Sequence, residues 1–284
     1  MDRSEFLAVL AGLVITPVQA ITVLGKERPV PTVTLLSVPL ELGGDWGESP
    51  QAAAYAVLSR MRDVCLSGIT LSSDQQPEKL YVENHSTGPP CIWLHTEPRN
   101  AAWIIVDIGA RDWCKLAYQF GHELGHVLCN SWCWGDNPRP PSQWLEESIA
   151  EAFSLRGLAL LAASWRENPP FLNDSAFAEA IRQYRANLLA AYRKAAEIDL
   201  ADWLRAGQPM SENPAASKGP AVAPILASLE HDERCVEDMG ALNRWPERTG
   251  LPIKEYLRLW EKSCKEIGTS GLLPTQVRDL FSRK

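Results

Sequence analysis

Residues 112–128, DWCKLAYQFGHELGHVL, decide how this chain is organised. Asp112 stands where an N-cap carboxylate belongs, and Trp113, Leu116, Ala117, Phe120, Leu124, Val127 and Leu128 recur at helical spacing. The stretch predicts an amphipathic helix directly after an apolar strand, Ala102 to Ile108. On that helix His122 and His126 fall one turn apart on one face, which suits two imidazoles on a single tetrahedral zinc ion, with Glu123 beside the first.

Two ligands leave a zinc ion incomplete, so the third must come from elsewhere in the chain. A metzincin takes it from a His six residues after the second His, with a Gly at the third; here those positions are Cys129 and Trp132, and that family is excluded. A second helix beginning at Ser142 carries WLEESIAE at residues 144–151. On a helical wheel Glu147 and Glu151 share a face with Trp144, Leu155 and Leu158, and carboxylates on such an apolar stripe need compensation from a metal or an imidazole. Glu146 points about a quarter turn away and is the weaker candidate. Asp136, in the loop between the helices, is another possible ligand.

Together the two helices, about residues 102 to 162, resemble the thermolysin and alanyl-aminopeptidase group of gluzincins, whose second helix carries W-L-x-E-G-x-A-E. Ser148 departs from that pattern's Gly. The resemblance implies a zincin-like α+β fold, zinc held by His122, His126 and Glu147, and Glu123 as the general base that activates water. It further implies Glu151 as the acid that accepts a hydrogen bond from a ligand histidine, and a peptide or protein substrate. Gluzincins add a His, Tyr or Arg to steady the transition state; His231 is the first candidate, with Tyr184, Tyr192 and Tyr256 beside it. No aminopeptidase signature accompanies the motif, so exopeptidase action is not carried over. One alternative is an ImmA-like cytoplasmic regulatory peptidase, whose E-x-x-A-x-x-F spacing Glu147, Ala150 and Phe153 also fit. A non-catalytic zincin-fold binding module is the other.

The rest of the sequence sets the frame. With 284 residues and 45% hydrophobic content the chain can bury a full core, and a net charge of −7 without basic runs argues against a nucleic-acid partner. Phe6 to Ile15 is apolar and Val18-Gln19-Ala20 ends in small residues, which predicts a signal peptide of residues 1–20 and export, although Asp2 and Glu5 offset Arg3. That run is too short for an ordinary transmembrane helix, and nothing later in the chain forms one. Oligomeric state is not legible. Of seven cysteines, Cys129 with Cys133 and Cys235 with Cys264 are possible pairs if the protein is exported.

Residues 21–110 read as an α+β layer: strands at Thr32 to Val38, Lys79 to Glu83, Cys91 to Thr96 and Ala102 to Ile108, and a helix from Ser49 to Cys65 with Ser49 as its cap and Pro50 at its first position. Residues 111–284 read as a helical layer, with further helices at Asp174 to Ile198, a short one from Asp199, then Ala221 to Leu242, Pro252 to Ile267 and Thr275 to Phe281. The cleft is expected between the layers. Trp132, Trp134 and Trp144 flank the motif as pocket or packing residues; His85 and His95 read as surface residues.

Overall fold

The computed structural model describes residues 35–70, 73–85, 88–94, 100–132, 142–205, 219–248 and 250–281. The expected signal segment, His95, Asp136, Cys133, Trp134 and the loop from Gly207 lie outside them. Four short strands, β1 (Leu40–Gly44), β2 (Lys79–Asn84), β3 (Cys91–Ile92) and β4 (Ala101–Val106), form one sheet in the order β1-β2-β4-β3. The first three in that order run parallel, and β3 lies antiparallel at the edge. Alternation puts Leu80, Val82, Ala102, Ile104 and Val106 in the core, where α1 (Gln51–Leu66) and α2 (Trp113–Leu128) pack.

Among the described residues seven further α-helices follow: α3 (Gln143–Glu167), α4 (Phe177–Ala195), α5 (Leu200–Arg205), α6 (Val222–His231), α7 (Arg234–Met239), α8 (Ile253–Ile267) and α9 (Leu272–Leu280). The architecture is α+β, a small mixed sheet with helices dominating the rest. No helix among the described residues is long and apolar enough to cross a membrane.

Four expectations need correction. Leu35 to Val38 is turn and bend, and the first strand starts at Leu40, beyond Pro39, where the Leu40–Glu41–Leu42 alternation pairs with β2. Ser49 does not cap α1; its hydroxyl donates to the Gly109 carbonyl at 3.2 Å and accepts from the Arg111 N–H at 3.0 Å, and Pro50 takes the cap position. The helix expected from Ala221 to Leu242 breaks at Asp232, whose carboxylate accepts the Arg234 N–H at 2.9 Å and restarts the chain as α7. Cys235 and Cys264 are separate buried thiols, and Cys129 is a buried thiol as well.

What aims α2 is the loop before it. Asn84 receives the Ile108 N–H at 3.0 Å, Gln119 receives the Asp107 N–H at 2.9 Å, and Ser49 holds Gly109 and Arg111. Asp112 then caps α2 through the Lys115 N–H. Against α2 lies α3, and the approach is close because Gly125 has no side chain: a Cβ there would stand 2.9 Å from the Ala150 Cα.

Candidate metal centre

That close approach brings the carboxylates of α3 over the histidines of α2. His122 Nε2 and His126 Nε2 lie 3.2 Å apart, and the Glu147 carboxylate closes the triangle at 3.4 Å from the first and 3.7 Å from the second. Among the described residues these three form a group whose ligand atoms all lie within 4.8 Å of one another.

The other side of each ring is held by a buried carboxylate. Glu151, fully buried, places Oε2 3.1 Å from His122 Nδ1, and Glu146, 1% exposed, places Oε1 2.7 Å from His126 Nδ1. An ionised carboxylate only accepts, so each ring carries its proton on Nδ1 and turns the Nε2 lone pair to the common centre. Two lone pairs facing each other at 3.2 Å beside a carboxylate require a positive charge between them. Nitrogens about 2.0–2.1 Å from a tetrahedral zinc ion stand about 3.3–3.4 Å apart, so the donor set and its spacing fit that ion.

Burial alone pulls the His126 imidazole down, but Glu147 and Glu146 outweigh it and hold the ring well above its ordinary pKa. Burial likewise pushes the Glu147 carboxyl up, yet His126 and His122 win and hold it well below.

Both supporting carboxylates are anchored in turn. Glu146 Oε2 accepts from Ser131 Oγ at 3.0 Å and Asn243 Nδ2 at 2.6 Å, and Asn243 Oδ1 accepts from the Tyr256 hydroxyl at 2.5 Å. Glu151 accepts from the Tyr118 hydroxyl at 2.8 Å, while burial first and Glu151 second push that phenol far above its usual range.

The group opens on a cavity of about 400 Å³ bounded by β3, α2 and the start of α3. Glu123, 4% exposed, lines it beside His122; after burial, the charge of Glu123 is what raises the facing Cys91 thiol on β3. The Trp93 N–H bonds the Trp103 carbonyl at 2.8 Å, and Ile92 pairs with Ile104. Alternation therefore turns the backbone N–H and C=O of Ile92 off the sheet edge.

The other residues singled out from the sequence fall elsewhere. His231 is exposed at the end of α6, in a separate depression with Ser228 and Gln276, and does not reach the cavity. Tyr184 rests edge-on against Tyr118, Tyr192 is buried beside Glu151, and Tyr256 stands behind Glu146; none of the three lines the cavity. Trp144 packs on Trp203 and Phe281, Trp132 donates to the Gln75 carbonyl, and His85 bonds Glu83. Glu146, the weaker ligand candidate in the sequence, stays out of the group and holds His126 from behind, a role the sequence reading did not assign. Tyr118 and Gln119, one turn before His122 and Glu123, were legible as the same face of α2. Comparison with protein-family models, characterised proteins and solved structures finds no match.

Proposed function

We propose that this protein is a zinc-dependent peptidase, and the observation that carries the reading is the convergence of His122 Nε2, His126 Nε2 and Glu147 within a cavity also lined by Glu123. His122, His126 and Glu147, which line the cavity, would hold the ion there. When bound, zinc supplies Lewis acidity, polarising a carbonyl and acidifying water. Glu123 takes the proton from water and hands it to the departing amine. Glu151 and Glu146 keep both Nδ1 protons in place, so neither ring turns its lone pair away. Among the described residues the N–H and C=O of Ile92 on the edge of β3 have no partner, and an extended peptide could pair with them, which supports a peptide in preference to a compact small molecule.

Metal analysis and a peptide-library digest test the proposal together. The wild-type chain should hold one zinc ion, and His122→Ala and Glu147→Ala should lose it. Glu123→Gln should keep zinc while cleavage falls by about a hundredfold to ten-thousandfold, the usual contribution of general-base assistance. Full zinc occupancy in Glu147→Ala would overturn the ligand set, and near-wild-type cleavage by Glu123→Gln would overturn the mechanism.

A further inference from the structure

Gln119 sits one turn before Glu123 on the cavity face of α2 and is 5% exposed. Its amide is not free to turn. Asp107, just past β4, donates its backbone N–H to Gln119 Oε1 at 2.9 Å, and an N–H demands the oxygen of an amide, not its nitrogen. Nε2 is thereby directed the opposite way. Among the described residues it has no hydrogen-bond partner, and it is not one of the sealed polar atoms, so it opens on the cavity that Gln119 lines. A donor this enclosed requires an acceptor from whatever fills the cavity.

The position tells which acceptor. Four residues of helix separate Gln119 from Glu123 by about 6 Å along the axis. Gln119 thus stands one turn of α2 before His122, the first of the residues grouped at the candidate centre. An extended peptide advances about 3.4 Å per residue, so the same offset matches a carbonyl one or two residues away. Among the described residues the lining contains Glu123, Glu146 and Glu147 and no Lys or Arg, and this negative wall favours a neutral amide carbonyl over a terminal carboxylate.

We infer that Gln119 Nε2 binds a backbone carbonyl of the peptide one or two residues from the scissile bond, holding the chain extended against the free edge at Ile92. The inference rests on the peptidase reading and adds to it a substrate-positioning residue, with internal peptide bonds as the preferred target.

Binding to the zinc-loaded full chain tests it without turnover. Two probes that grip zinc through the same group are compared: acetohydroxamate, which has no peptide backbone, and a tripeptide hydroxamate, which carries backbone carbonyls along the cavity. Gln119→Leu should weaken the tripeptide probe by about twofold to tenfold, the range for one neutral hydrogen bond, and leave acetohydroxamate unchanged. Gln119→Glu keeps the oxygen for Asp107 and the side-chain shape but replaces the donor by a charge, and should weaken the tripeptide probe further. Equal loss on both probes would mean a disturbed metal centre, and no loss on either would mean an idle amide; both overturn the inference while leaving the peptidase reading in place. If the wild-type chain with zinc binds neither probe, the metal reading itself fails and the inference falls with it.

Discussion

At the scale of single residues, both histidine rings of the candidate centre are held from behind by carboxylates. His126 is the clearest case. Its ring is fixed by Glu146, Glu146 by Ser131 and Asn243, and Asn243 by Tyr256, a chain running from the end of α2 to α8. Glu146→Ala removes the acceptor at Nδ1 and leaves the Asn243 amide only Ser131 Oγ, at 3.0 Å, so zinc affinity should fall about tenfold to a hundredfold. Asn243→Ala leaves Glu146 in place and should cost less. A chelator-competition titration of both variants, with circular dichroism to confirm the fold, measures the order. An affinity in Glu146→Ala equal to wild type would show that His126 needs no support. Glu151 repeats the arrangement for His122, with Tyr118 holding the carboxylate from the cavity side.

At the scale of elements, the centre depends on how closely two helices meet. Gly125, inside the histidine motif, faces Ala150, three residues beyond Glu147, and an added methyl would stand 2.9 Å from Ala150 Cα and 3.2 Å from its Cβ. A backbone atom cannot rotate aside. Gly125→Ala should therefore push α3 outward, lower stability by about 1–3 kcal/mol, and weaken zinc because Glu147 moves with the helix. Gly121, one turn earlier, makes a control: its added methyl would meet the mobile end of Met61 at 2.5 Å and Ser154 Oγ at 3.0 Å. The better helix propensity of Ala, about 1 kcal/mol, should offset much of that crowding. Thermal melts and zinc titrations of the pair decide the matter, and a Gly121→Ala that is the more damaged of the two would refute the argument. These helices were readable in the sequence because their evidence is local: cap, period and motif lie within single turns. Strand β1 was not, since only pairing with β2 distinguishes Leu40–Gly44 from a turn, and the break at Asp232 was hidden because apolar spacing continues across it.

At the scale of the whole molecule, the same contrast governs the site. The histidine spacing and Glu147 could be read from neighbouring residues, whereas Asn243 reaches Glu146 across 97 positions and no pattern announces such a contact. One continuous core runs from Leu35 to Val277, and it shields thiols and phenols from water more strongly than the nearby Arg156, Arg234 and Arg248 can offset. Burial pushes Cys65, Cys235 and Cys264 each up to about 12, and it also drives the Tyr118 and Tyr256 phenols well above their usual range. In the unfolded chain thiols ionise near 8.5 and phenols near 10. Above about pH 9, then, the unfolded state has released protons that the native state still holds. Stability must fall as pH rises through that window, because its slope follows the protons bound by the unfolded state minus those bound by the native one. Urea melts at pH 7, 9 and 10.5 should show a midpoint that drops at the two higher values, steepest between them. Alkylation at pH 8 should be slow at Cys65, Cys235 and Cys264 and should speed up only when urea opens the core. A midpoint that stays level to pH 10.5, with those three thiols reacting at the rate of free cysteine, would mean that the interior is open to water and that the sealed packing around α2 and α3, on which the geometry of the metal centre depends, is not how the chain folds.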